Sequence, residues 1–263
     1  MKDVIPYKGK APAEAVKVRS AVWMGLKFGI IVFLLCAVCF LCYMIAQFMS
    51  GESTAVVETV EAKLPVIVID AGHGGMDSGA LGVDGSLEKE INLAVAERIA
   101  ALCRLSGIDC VMTRTEDVML VPDDVKTHRK MNDLKNRLAV ADNILELGRE
   151  VIFISVHMNK FTSEKYSGLQ VWYSPNSEES SQLASYVQGY AGTWLDKGNT
   201  REIKRATSAI YILDRAKVPA ILVECGFLSN RAECAKLATD EYRMQVALTV
   251  FSALCDYMST EDY

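Results

Sequence analysis

Histidine is scarce in this chain: His73, His128 and His157 are the only three among 263 residues. No Cys-x-x-Cys pair occurs after residue 51, which excludes a compact zinc site built from cysteines. Positive charge is also short where a polymer-binding surface would need it. The whole chain carries net −5, and the six basic and two acidic side chains of residues 1–27 leave 22 basic against 31 acidic in the remainder. An acidic domain of that kind gains little from nonspecific attraction to nucleic acid or anionic wall polymers. No nucleic-acid partner is expected, and substrate recognition has to be local. Internal repeats and a second module are absent as well.

One stretch lacks charge altogether. Phe28 to Gly51 runs 24 residues without an ionisable acid or base, and as a helix it reaches roughly 36 Å, enough for a hydrocarbon core of about 30 Å. The excess of Lys and Arg ahead of it predicts a cytoplasmic segment over residues 1–27, a transmembrane anchor over 28–51 and export of residues 52–263. The apolar run is longer than a signal-peptide core and ends without a clear Ala-x-Ala site, which favours an uncleaved anchor over a cleaved signal. Residues 52–64 read as a polar linker and 65–263 as one domain, large enough for its own core. Of the eight cysteines, Cys36, Cys39 and Cys42 lie in the apolar run and five lie beyond it. Cys103 and Cys110 flank a helix-to-strand turn, and spacing alone leaves their pairing open.

The chemistry-bearing residues concentrate at three strand ends. Val66–Ile69, Val151–Val156 and Ala220–Val223 are short and mostly β-branched, and are followed by Asp70-Ala71-Gly72-His73-Gly74-Gly75, His157-Met158-Asn159 and Glu224-Cys225-Gly226-Phe227. A parallel sheet gathers such ends at its carboxyl edge, so His73, His157 and Glu224 would meet despite separations of 84 and 67 residues. Glu88 opens a helical segment, Glu88–Leu105, on the same stripe as Ile91, Val95, Ile99 and Leu102. A carboxylate facing a core needs a positive or hydrogen-bonding partner, and a divalent cation held by His73, Glu88 and His157 is one answer. Each residue also has a plainer reading. His73 and His157 fit hydrogen-bonded loop and rim histidines; Glu88 fits a first-turn glutamate at the positive end of a helix; Glu224 fits an ion pair with Arg215 or Lys217. Glu90 competes with Glu88, but two helical positions turn it roughly 200° off the stripe. His128 sits in a charged stretch and reads as solvated.

Taken together, Ile69-Asp70-Ala71-Gly72-His73-Gly74-Gly75, Leu87-Glu88-Lys89, Ser155-Val156-His157-Met158-Asn159 and Pro219-Ala220-Ile221-Leu222-Val223-Glu224-Cys225-Gly226-Phe227-Leu228-Ser229-Asn230 resemble the zinc-dependent N-acetylmuramoyl-L-alanine amidases of bacterial cell walls. The resemblance covers about Val66 to Tyr257. It implies Zn2+ on His73, Glu88 and His157, a catalytic Glu224, and peptidoglycan as the partner. The implied reaction is cleavage of the amide between the lactyl group of N-acetylmuramic acid and the L-alanine of the stem peptide. Ala71, Met158 and Cys225 depart from the commoner residues of the family, and none of them is a ligand. Cys225 alternates away from Glu224 along the strand and reads as a small core residue. The anchor, the bare catalytic domain and Arg201-Glu202-Ile203-Lys204 look nearest to the germination-specific cortex amidases of spore formers. Such an enzyme would work outside the cytoplasm, on the cell-wall side or in the forespore intermembrane space.

The expected fold is a three-layer α/β domain with a mostly parallel, twisted sheet of about six strands flanked by helices. Further strands are expected near Asp109–Thr113, Gly168–Ser174 and Ser208–Leu213. Helices over Ser180–Leu195 and Glu241–Met258 would put Leu183, Val187, Tyr190 and Trp194, and Val246, Val250 and Ala253, into the core. Arg201, Lys204 and Asn159 are candidate substrate contacts, the two cations for a carboxylate of the substrate; a solvated surface explains those cations equally well. Arg137 either braces its helix or reaches the site. The segment Asp117–Asn136 is long, charged and without an assigned element, and could cover the cleft. Other readings are a vegetative autolysin in wall turnover or cell separation, a zinc peptidase cutting within the stem peptide, and a noncatalytic wall-binding protein. The need for a protein activator is open.

Overall fold

A computed structural model describes residues 33–45, 64–122 and 124–260. The chain divides into two compact units, Met1–Glu61 and Ala62–Tyr263. In the first, residues 33–45 form helix α1. The rest of the expected anchor over 28–51, and the linker up to residue 63, lie outside the described residues. Among the described residues no helix is long and apolar enough to cross a membrane.

The second unit is built on a six-stranded sheet. Strands β1 (Val66–Ala71), β2 (Cys110–Met112), β3 (Val151–Asn159), β4 (Gln170–Tyr173), β5 (Lys204–Arg205) and β6 (Ala220–Phe227) lie in the order β2-β1-β3-β6-β4-β5. The β2–β1, β1–β3, β3–β6 and β4–β5 pairings are parallel and β4–β6 is antiparallel. All six residues of Val-Ile-Val-Ile-Asp-Ala in β1 are buried, as a strand covered on both faces requires.

Helices α2 (Glu88–Leu105), α3 (Arg129–Glu146), α4 (Glu178–Tyr190), α5 (Tyr211–Arg215), α6 (Arg231–Leu237) and α7 (Asp240–Thr260) complete the layers. On one face Ile67, Ile69, Ile154, Ile221 and Val223 join a core with α2, α4 and α7; on the other Val68, Phe153 and Leu222 join a smaller one with α3 and α5. Alternation along the strands therefore sends Asp70, Ser155 and His157 toward the α3–α5 side.

Three expectations need correction. Ser208–Leu213 is not a strand: a turn there leads into α5, and the edge strand is Lys204–Arg205. α4 gives way at Ala191 to a π-helix, Ala191–Leu195, whose looser winding throws Trp194 off the apolar stripe. Trp194 is 69% exposed and tilts against Tyr190 with centroids 5.1 Å apart. The segment Asp117–Asn136 is not wholly irregular, because α3 begins at Arg129. Its first part is tied to the loop after β1 by a 2.7 Å bond from the Gly75 N–H to Asp117 and a 2.6 Å ion pair between Lys89 and Asp117.

Candidate metal centre

The chain turns sharply after β1. His73 adopts a left-handed φ of 62°, uncommon without glycine, and Gly74 and Asp77 exchange backbone hydrogen bonds of 2.9 and 3.0 Å. That turn lays the Asp77 carboxylate 3.0 Å from His73 Nδ1, leaving Nε2 to face inward. Six glycines between Gly72 and Gly85 then let the loop fold back onto α2, where the Ala80 N–H donates to Glu88 Oε2 at 2.7 Å.

Glu88 is 3% exposed, and its Oε1 lies 3.2 Å from His73 Nε2 and 3.0 Å from His157 Nδ1. The Met158 N–H donates to the same oxygen at 3.1 Å. One ligand atom from each of His73, Glu88 and His157 falls within 4.8 Å of the others. Two imidazole nitrogens and a carboxylate oxygen are a donor set that suits zinc and leaves a position open. The surroundings are cut to this arrangement. A Cβ on Gly72 would stand 2.2 Å from the His157 ring, and one on Gly79 would stand 2.6 Å from Glu88 Oε2 and 2.7 Å from His73 Cδ2. Burial alone would raise the Glu88 pKa, yet hydrogen bonds from His157 and His73 outweigh it and hold the carboxylate well below its ordinary range.

Glu224 stands beside His157 as its register partner across β3 and β6, and a β-bulge follows immediately. Its Oε2 is buried and has no hydrogen-bond partner. Burial pushes its pKa up to about 7, with Glu88 adding to the rise and His157 and His73 opposing it. A carboxyl poised there can take up or release a proton near neutrality. Neither Arg215 nor Lys217 neutralises Glu224: their partners are Asp214 and Asp142. Cys225 is fully buried in the opposite core. A cavity of about 180 Å³ opens beside His73 and His157, bounded by Lys130, Leu134, Ile210 and Tyr211.

Arg137, whose role sequence alone leaves undecided, proves to be the hub of a network. It is 1% exposed and donates to Asp70 at 2.7 Å, Asp133 at 2.8 Å, the Ala71 carbonyl at 2.7 Å and the His73 carbonyl at 2.6 Å. It braces the histidine loop from behind. Arg114, at the end of β2, holds the carbonyls of Ala71, Gly72 and Lys89 at 2.8, 3.0 and 2.7 Å. Asp70 in turn accepts from Thr113 and Ser155 at 2.7 and 2.6 Å. Burial alone would raise the Asp70 pKa, but Arg137 and the two hydroxyls keep it below the usual carboxylate value. Sequence reasoning missed Arg114, Asp70 and Asp133; an aspartate closing a buried strand is the signal that could have found them.

The three candidate substrate contacts are spread along the sheet edge. Arg201 lies over the Phe227 ring, 4.7 Å from its centroid. Lys204 is exposed on β5, 5.1 Å from the centroid of Trp172. Asn159 ends β3, where its carbonyl accepts from the Leu228 N–H at 2.8 Å. His128 is exposed, as expected of a solvated residue, and directly precedes α3. The eight cysteines, Cys103 and Cys110 among them, are free thiols.

Comparison with known proteins agrees with this architecture. Residues 67–256 match the N-acetylmuramoyl-L-alanine amidase family. The germination-specific N-acetylmuramoyl-L-alanine amidase of Bacillus subtilis is 33% identical over 196 residues, which cover 74% of this chain and 80% of that protein. The structure of the CwlD amidase from Clostridioides difficile in complex with the GerS lipoprotein superposes with a TM-score of 0.70 at 35% identity, covering 75% of this chain and all of that one. The catalytic domain of CwlV from Bacillus (Paenibacillus) polymyxa gives 0.62 at 28% identity, covering 75% of this chain and all of its own. The chain belongs to the N-acetylmuramoyl-L-alanine amidase family.

Proposed function

We propose that this protein is a zinc-dependent N-acetylmuramoyl-L-alanine amidase that hydrolyses the amide between the lactyl group of N-acetylmuramic acid and L-alanine of the stem peptide. The observation that carries the reading is the convergence of His73, Glu88 and His157 within 4.8 Å, beside a Glu224 oxygen without a partner. Bound by those three residues, zinc would supply Lewis-acid polarisation of the amide carbonyl and an acidified water. Glu224 takes the proton of the attacking water and returns it to the departing alanine amine. Its position next to His157 supports giving both transfers to one carboxylate. Asp77 fixes the His73 tautomer by accepting from Nδ1, and the buried arginines behind the loop hold the imidazole where it points.

Residues 28–51 would anchor the enzyme, with 1–27 cytoplasmic and the domain over 65–263 outside the cytoplasm. The charge-free run and its basic flank support this topology. A role in spore cortex modification rests on the likeness to a germination-specific amidase. A protein partner fits the relative that was solved in complex with a lipoprotein.

Metal analysis and product analysis of the full chain test the reading. About one zinc per chain, with release from peptidoglycan of peptides bearing amino-terminal L-alanine, is the expected result. Peptides cut internally would make it a peptidase, and a chain that takes up no zinc would end the proposal.

A further inference from the structure

Arg201 is partly exposed and held at several points. Its Nε donates to the Ser167 carbonyl at 2.7 Å, its Nη1 to Gln170 Oε1 at 3.1 Å, and its guanidinium covers the Phe227 ring. The backbone is fastened too: the Arg201 N–H donates to Asn199 Oδ1 at 3.1 Å, and Asn199 Nδ2 donates to the Leu169 carbonyl at 2.8 Å. All of these partners are neutral. Among the described residues no carboxylate pairs with Arg201, whereas Arg98, Arg137, Arg149, Arg215 and Arg243 each have an aspartate; Arg104, Arg114, Arg205 and Arg231 also lack one, but Arg114 is buried on backbone carbonyls and out of a ligand's reach. In a domain with more acidic than basic side chains, a guanidinium fixed on three sides and lacking a counter-ion is arranged for a carboxylate that arrives with a ligand.

Its location says which carboxylate. Gln170 is 2% exposed, and its side-chain nitrogen donates to the Glu202 carbonyl, so both ends of that amide grip the segment carrying Arg201. Gln170 is also the antiparallel register partner of Glu224, and side chains paired in this way lie on one face of the sheet. Arg201 thus stands one hydrogen bond beyond the neighbour of the base. One strand spacing plus one hydrogen bond is on the order of 8 Å, about the span of two extended residues. Lys204 pairs with Trp172, two residues farther along β4, and is exposed, which suits it less.

We propose that Arg201 binds a free carboxylate on the residue following the alanine of the leaving peptide, so that the enzyme prefers an acid to an amide at that position. The proposal rests on the amidase reading and adds its peptide specificity. The test compares two glycan-linked muramyl peptides that differ only in whether the second residue carries a carboxylate or a carboxamide. Full-length wild-type protein is expected to turn over the acid with a kcat/KM about 10–100-fold higher, the range of one charge-assisted hydrogen-bonded contact. Arg201→Gln should lose that factor on the acid, change less than about threefold on the amide, and keep its zinc, with Tm lowered by no more than about 2–8 °C for the lost Ser167 and Gln170 contacts. Equal slowing of both substrates would reduce Arg201 to a brace between the start of β4 and the segment that precedes β5, and overturn the assignment. Wild-type protein that does not discriminate overturns it without any variant. Wild-type protein that cuts neither substrate, though loaded with zinc, ends the amidase reading instead.

Discussion

Glu224 shows how one residue's surroundings set its use. Burial without a hydrogen-bond partner costs its ionised form more than its neutral form, hence a pKa of about 7. For a carboxyl raised on folding, the folded state binds the proton more tightly, so its unfavourable contribution is absent below the unfolded value, grows between that value and about 7, and is constant above. Glu224→Gln removes that liability. In metal-stripped protein the variant should match wild type at about pH 4 and exceed it by about 3 kcal/mol at about pH 8, measured by thermal or urea unfolding at both pH values. The same variant should bind zinc and lose about two to four orders of magnitude in kcat. A difference from wild type that is the same at both pH values would mean that the carboxyl is solvated and ordinary.

The loop between β1 and α2 is the element on which the centre depends, and its accuracy comes from backing rather than from its own propensity. Two buried arginines hold three consecutive carbonyls, those of Ala71, Gly72 and His73. Arg137→Met would take the cation from buried Asp70 and Asp133 and the donor from the His73 carbonyl, leaving the Ala71 carbonyl to Arg114 alone, a loss of about 3–5 kcal/mol by the usual cost of breaking a buried pair. Urea unfolding of the variant measures it. Gly72→Ala probes the loop more gently, since its Cβ would meet the His157 ring at 2.2 Å while the core stays intact. We expect it to fold and to bind zinc about 10–100-fold more weakly in chelator competition, as when support around a metal ligand is lost. Unchanged affinity would show that His157 can rotate away freely. The periodicity of Glu88–Leu105 and the β-branched runs made α2, β1, β3 and β6 legible in the sequence, and with them the four residues at their ends. The backing was not legible, because Arg137 lies 67 positions from Asp70 and a lone arginine beside an apolar stripe carries no sign of what it will meet. Nor was the end of α4, where a change of helical winding alters which residues share a face.

At the scale of the molecule, a mostly parallel sheet puts loops from distant parts of the chain at one edge, and the antiparallel pairing of β4 with β6 adds Gln170 to that edge. The fold layers followed from alternating strand and helix patterns; the reversal of β4 did not, since strand direction is set by packing that periodicity does not record. The cost of the centre is borne by the whole domain. Without a cation, Glu88 is held by two imidazoles, an arrangement that weakens whenever those rings lose their protons. A bound metal replaces those protons and adds folding free energy through its preference for the native state, about 4 kcal/mol at a thousandfold excess over Kd. For a domain of this size, each kcal/mol moves Tm by about 2–4 °C. Stripping the metal with a chelator should therefore lower Tm by roughly 8–16 °C, and adding zinc back should restore it. In His157→Ala the same treatment should shift Tm little, because the donor set is broken before the chelator acts. A wild-type Tm indifferent to chelator would mean that the three donors are satisfied by one another and hold no metal.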